Sequence, residues 1–249
     1  MKIRRHLLAF AFLLLPALAQ AQQAAPPPPP PQQEGSGEFS LVDTSGNAST
    51  QSVGVGAEYF ARPEDWEFHA KGTYVRNKSE DVLTAQSLSL LFRGARTLSP
   101  KLSAFGEYDF LRDRFAGIDA RHQVLGGLAY KVIDQAPQTL TVDASVGYAN
   151  EQRLLQPSLS TAIWMAGLDY RAKISSSAEF TDTAGFNESL SEGSDWRVQN
   201  VAALSATITT LLSLKVSNTI RYVHQPVFGF KTTDSITAVA LVVKLRSRP

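Results

Sequence analysis

From about Phe39 to Leu245 the chain repeats one pattern: apolar and polar residues alternate with a period of two, broken at intervals by clusters of Gly, Pro, Asp, Asn and Ser. In Leu140-Thr141-Val142-Asp143-Ala144-Ser145-Val146-Gly147-Tyr148 the even positions are apolar and the odd ones polar or small. Near the C-terminus Leu212, Leu214, Val216, Ile220 and Tyr222 share one face, while Ser213, Lys215, Ser217, Thr219 and Arg221 share the other. Trp66, Phe68, Ala70, Gly72 and Tyr74 oppose Glu67, His69, Lys71 and Thr73 in the same way. No stripe of helical period competes. The pattern predicts about twelve strands, with cores at 38–44, 51–61, 65–76, 83–96, 101–112, 121–133, 139–151, 161–173, 177–188, 196–209, 212–224 and 233–245.

Alternation by itself fits a soluble sandwich as well as a membrane barrel. Three further features favour the barrel. The charges sort by face: the side opposite the apolar one holds Glu67, His69, Lys71, Arg93, Glu107, Lys131, Asp143, Asp169, Arg171, Lys215 and Arg221, with Asp109 and Glu179 beside them. These eleven are the candidate lumen-lining residues. The apolar side admits few polar exceptions, among them Gln86, Asp182, Asn200 and Asn218. Aromatics stand near strand ends; Trp66 and Tyr74 bracket one strand, a spacing of roughly 20 Å in a tilted strand, close to the apolar band of an outer-membrane barrel.

The connections alternate in length. Counted from a periplasmic N-terminus, Arg62–Glu64, Leu98–Pro100, Asp134–Pro137, Ser175–Ser176 and Thr210–Leu211 are short, whereas Ser45–Thr50, Asn77–Asp81, Arg114–Asp119, Arg153–Ser158, Ser189–Asp195 and Gln225–Thr232 are longer and more polar. Together these features predict an all-β fold, a transmembrane antiparallel up-and-down β-barrel of about twelve strands. Closure follows because lipid offers no partner for the backbone groups of an open edge. Such a ring would be wider than an eight-stranded barrel filled by side chains and narrower than a general porin.

The N-terminus sets the compartment. Lys2, Arg4 and Arg5 precede an apolar run from Leu7 to Leu15, and Ala19-Gln20-Ala21 supplies a small-x-small cleavage site. The run is shorter than the roughly 20 residues of a membrane-spanning helix. Residues 1–21 are therefore expected to be a secretory signal peptide, 22–37 a Pro/Gln/Gly-rich disordered tether, and 38–249 the barrel, placed in the outer membrane of a Gram-negative cell. Loss of three basic residues takes Lys+Arg from 24 to 21 against 23 Asp+Glu, near −2. That balance speaks against nucleic acid as a partner. With no cysteine, the chain has neither disulfides nor a Cys₂His₂-type zinc site.

The segments Leu111-Arg112-Asp113-Arg114-Phe115-Ala116-Gly117-Ile118-Asp119, Gly126-Gly127-Leu128-Ala129-Tyr130-Lys131, Ser194-Asp195-Trp196-Arg197-Val198 and Pro226-Val227-Phe228-Gly229-Phe230-Lys231-Thr232-Thr233-Asp234 resemble the salt-induced outer-membrane protein family, a domain of unknown function. The resemblance runs over the whole strand region. It implies an outer-membrane β-barrel without established activity or ligand, and it carries no catalytic residue. One position departs: barrels of this kind commonly end in an aromatic that the assembly machinery reads, and here Leu245 stands in its place, followed by Arg246-Ser247-Arg248-Pro249.

Motifs for phosphate binding, an acyl-transfer serine or a paired-histidine metal site are missing, and no cofactor is implied. His69 could act as a base if Ser87 or Ser89 on the next strand lay beside it; otherwise it is a hydrogen-bonded lumenal residue. The dense charged stretch Arg112–Arg121 could grip lipopolysaccharide phosphates, or pair Arg with Asp across a hairpin turned by Gly117. Asp143, Asp169, Arg171 and Arg221 could form a selectivity ring or a salt-bridge network filling the interior. The expected partners are outer-membrane lipid or lipopolysaccharide, the barrel-assembly machinery during insertion, and a small solute or ion. Three functions stay open: a non-enzymatic narrow pore or envelope protein linked to salt or osmotic stress, an outer-membrane enzyme acting on lipid, and a soluble periplasmic β-barrel binding an apolar ligand.

Overall fold

The structure, a computed structural model, describes residues 31–44, 50–191, 193 and 195–246. The expected signal peptide and most of the tether lie outside the described residues. Twelve strands follow in chain order: β1 (Gln33–Thr44), β2 (Thr50–Ala61), β3 (Trp66–Ser79), β4 (Val82–Ser99), β5 (Leu102–Asp113), β6 (Ile118–Gln135), β7 (Gln138–Arg153), β8 (Leu159–Lys173), β9 (Ala178–Ser189), β10 (Trp196–Thr207), β11 (Leu212–Val223) and β12 (Thr233–Arg246). The one helical element among the described residues is a 3-10 turn, Arg114–Ala116. Each strand pairs antiparallel with the next, and β1 pairs antiparallel with β12, from Glu34 opposite Arg246 to Phe39 opposite Leu241. The sheet is thus a closed up-and-down barrel, which satisfies both edges of every strand.

Two local expectations are corrected. The first strand begins at Gln33, not near residue 38, so the last five residues assigned to the tether belong to the barrel. Gly35, Ser36 and Gly37 look like a loosened linker in the sequence, but each is held between Tyr59, Glu58 or Ala57 of β2 and Leu245, Lys244 or Val243 of β12. Strand pairing on both sides overrides weak local propensity. The connection expected over Asn77–Asp81 is instead a two-residue hairpin, Glu80 and Asp81 at φ 49° and 61°. Positive φ at both central residues matches the right-handed twist of the strands that they join.

The register carries the alternation around the ring. Lys71 faces Glu58 and Leu91, whereas Phe68 faces Ala61 and Gly94. The outer surface bears large exposed apolar side chains, among them Tyr59, Phe68, Phe92, Val124, Val146, Tyr148, Leu204, Leu214, Val216 and Leu241. Among the described residues Leu125, Ala149 and Ile163 form a small buried apolar cluster, with Met165 packed against it. Strands β6 and β7 come very close there: a Cβ at Gly147 would lie 2.0 Å from the Val124 carbonyl oxygen. Only glycine fits such an approach.

Aromatic groups collect toward both ends. At the end carrying most of the longer connections, Trp196 lies 5.0 Å from Tyr222 and 4.9 Å from His224, ring centre to ring centre, with Trp164 5.1 Å from Phe186. Toward the short-turn end Trp66 stacks on Phe68 at 5.8 Å, and Tyr170 lies 6.3 Å from Phe180.

Candidate functional site

Charged side chains of β4, β7, β10 and β11 meet residues of strands that are not their neighbours, which places these contacts inside the ring. Arg221 on β11 donates to Asp113 on β5 at 3.2 Å and to Ser87 on β4 at 3.4 Å. Arg93 on β4 donates to Glu107 on adjacent β5 at 3.0 Å and lies 3.8 Å from Asp143 on β7. Its guanidinium also sits over the Phe105 ring, 3.5 Å from the centroid. Lys215 on β11 donates to Glu38 on β1 at 2.6 Å. The Arg221–Asp113 contact spans the ring, since β5 and β11 lie six strands apart in its order.

The tightest cluster lies toward the long-loop end. Glu151 on β7, 2% exposed, accepts from Arg197 on β10 at 2.6 Å and from Arg153 at 2.6 Å, with Arg121 on β6 at 3.6 Å. Asp195 stands 3.5 Å from Arg197 and 3.8 Å from Arg153. Three guanidinium groups thus surround one carboxylate, with a second beside them. The space left between them is a cavity of about 10 Å³, no more than a single water requires. Alternation did not single out Glu151, Arg153, Asp195 or Arg197, since they fall at strand ends where the pattern fades. Their signal is the density of opposite charges in Glu151-Gln152-Arg153 and Asp195-Trp196-Arg197.

Above this cluster two connections from opposite sides of the ring meet. Asp113 accepts from the backbone N–H of Phe115 and Ala116, which fixes the 3-10 turn, and Gly117 ends it at φ 78°. The β11–β12 connection lays Val227 and Phe230 on Gly117, so closely that a Cβ there would be 2.8 Å from Val227 Cβ. Val227 and Ile118 are buried, at 4% and 5% exposure. An apolar residue hidden within a long polar connection is the sequence signal of this cover.

The other expected residues fall into separate groups. His69 meets Glu58 Oε1 at 2.8 Å and stacks on Phe60 at 4.1 Å, and Lys71 lies 4.0 Å from the same oxygen. Ser89 bonds to Thr73 and Ser87 to Arg221, so neither serine comes to His69. Asp169 and Arg171 pair with each other at 3.4 Å. Glu67 and Lys131 lie at the short-turn rim, paired with Arg62 at 2.7 Å and Asp134 at 3.3 Å. Asp143, Asp169, Arg171 and Arg221 therefore do not form one ring: they belong to three different sets of contacts. In the Arg112–Arg121 hairpin, Arg112 and Arg114 both pair with Asp119, at 3.3 and 3.7 Å.

A family model described as a protein of unknown function, DUF481, matches residues 37–245. No curated protein matches the sequence. Among solved structures, the barrel is similar to the NanC porin in a rhombohedral crystal form, at 9% identity over 87% of this chain and 100% of that one, with a TM-score of 0.46. It is similar to the translocator domain of autotransporter NalP from Neisseria meningitidis, at 14% identity over 86% and 87%, TM-score 0.45. A bacterial polysaccharide outer membrane secretin follows at 8% identity over 87% and 98%, TM-score 0.44.

Proposed function

The chain belongs to the DUF481 family of proteins of unknown function, and from that premise we propose that it spans the outer membrane of a Gram-negative cell and passes small ions through a charge-lined interior whose outer mouth is closed at rest. The observation that carries this reading is the reversed polarity of the ring: exposed apolar side chains outside, and ion pairs such as Arg93–Glu107 and Arg197–Glu151 inside. In water so much exposed apolar surface favours aggregation, whereas in lipid it is solvated. The aromatic groups near both ends suit the two membrane interfaces, and the short turns then face the periplasm.

Residues 1–21 serve as the export signal in this reading, and N-terminal sequencing of the mature chain should begin at Gln22. The interior carries both signs of charge, so the lumen prefers small hydrated ions to large solutes of one sign. Passage requires Arg221 to leave Asp113 and the Val227–Phe230 cover to lift. Pairs at the rims, Arg112–Asp119 and Lys131–Asp134, are exposed and weaken first as salt rises, since screening acts within about 8 Å at physiological ionic strength. That gives a physical link to salt stress. Arg112 and Arg114 at the outer rim also suit lipopolysaccharide phosphates, and the assembly machinery would meet the last strand, Thr233–Arg246.

Single-channel recording in planar bilayers tests the proposal. Brief steps whose size grows with salt are expected from the wild type, and longer openings from Arg221→Ala. If both are silent over a wide voltage range, the protein does not conduct and supports the envelope instead.

A further inference from the structure

One cation stands on the outward face near the short turns, in a band of apolar side chains. The register sets Arg96 of β4 between Trp66 of β3 and Ala104 of β5, with Leu128 of β6 next in the row. Arg96 is exposed, and its guanidinium carbon lies 5.9 Å from the centre of the Trp66 ring. Among the described residues it has no ion pair. The next rows toward mid-barrel form a groove. Phe68 faces Gly94, and Ala70 faces both Phe92 and Tyr59, so three rings stand around two small residues. The groove between them measures about 260 Å³, and the three rings are each about half exposed. A Cβ at Gly94 would lie 3.5 Å from the Phe68 ring, an ordinary contact, so nothing in the barrel itself fills this space. From Arg96 to Phe92 is roughly 13 Å along the strand.

We infer that Arg96 and this groove bind one anionic phospholipid of the periplasmic leaflet, its phosphate at the guanidinium and an acyl chain between the rings. The inference rests on the membrane placement proposed above, with the short turns toward the periplasm. Charge complementarity selects the headgroup. A guanidinium has five N–H donors in a planar fork, and two oxygens of one phosphate accept a parallel pair of them. Trp66 beside it is of the residue type that stands at headgroup level. Along β4 the cation comes first and the apolar groove after it, the order in which a phospholipid presents headgroup and chain. A zwitterionic lipid brings its own ammonium to compete for the phosphate, whereas an anionic one leaves the phosphate to Arg96. The expected preference is about fivefold, the effect of one basic residue at a membrane surface.

Trp66 reports on the site once Trp164→Phe and Trp196→Phe remove the other two tryptophans. The full-length chain with these changes is refolded into phosphatidylcholine vesicles. A minor fraction of the lipid is either phosphatidylglycerol or phosphatidylcholine, brominated on its acyl chains. Quenching of Trp66, taken relative to each sample without bromine, should show the brominated phosphatidylglycerol bound about fivefold more tightly. Arg96→Gln, a change at an exposed side chain, should bring the two lipids level. Gly94→Leu fills the groove, leaves Arg96 in place and should also abolish the excess. Equal quenching by the two lipids in the parent, or an excess that survives either substitution, overturns the inference and leaves the membrane reading standing. No quenching by either brominated lipid removes the membrane reading and this inference together.

Discussion

Arg221 on β11 and Asp113 on β5 meet at 3.2 Å although their strands stand on opposite sides of the ring. The pair joins two loops as well as two strands. Asp113 also holds the turn at Phe115 and Ala116, and that turn carries Gly117, on which Val227 and Phe230 rest. One carboxylate therefore serves both the cross-lumen tie and the cover above it.

Arg221→Ala removes the tie and leaves Asp113 without its guanidinium. Both side chains are mostly buried, so the loss of stability is expected to be about 3 kcal/mol. Urea unfolding of the refolded protein measures it, and the same variant should lengthen open times in bilayer recordings.

Gly117→Ala acts on the cover alone. The residue lies at φ 78°, and its new methyl would meet Val227 Cβ at 2.8 Å. The cost is about 1 to 3 kcal/mol of local strain, relieved by displacing the β11–β12 connection. Trypsin added outside proteoliposomes should then cut after Lys231 faster than in the wild type, with the strands left intact.

Glu151→Ala leaves Arg121, Arg153 and Arg197 facing one another around a missing carboxylate. Breaking a buried cluster in this way costs about 3 to 5 kcal/mol. Glu151→Gln, which keeps the shape and the acceptor oxygen, should lose less. A larger drop in unfolding midpoint for Gln than for Ala would contradict the arrangement.

The chain's three tryptophans stand on the outward face: Trp66 and Trp196 open their strands, and Trp164 packs on Phe186, which in turn packs on Trp196. Lipids brominated near the headgroup should quench their fluorescence more strongly than lipids brominated at the chain terminus. Quenching by aqueous iodide alone would place the ring in water.

Much of the fold is written in the period-two pattern. The segment read at 212–224 is β11 at Leu212–Val223, and the one at 233–245 is β12 at Thr233–Arg246. The start of β1 was hidden because Gly35 and Gly37 have weak strand preference, and only their neighbours on both sides hold them extended. The site is less legible. Alternation tells that Arg93 and Glu107 share a face with Asp143, since each step along a strand reverses the side. It does not tell that Arg93 reaches β7, or that Arg221 reaches β5. Those contacts depend on the number of strands and the stagger of the closed ring, quantities that belong to the whole sheet and to no local segment. The cover formed by Val227 and Phe230 was concealed for the same reason: a long connection reads as solvated until the opposite wall is known.

Closure by β1 and β12 has a consequence for how the molecule is made. The joint links Glu34–Phe39 to Leu241–Arg246, stretches from the two extremes of the barrel sequence. No nascent piece lacking the last hairpin can close by the β1–β12 joint, so the closed form arises only after synthesis of the strand region is complete. Until then two unmated borders are offered to any sheet nearby, and a chaperoning surface that mates with either would guide the final stitch.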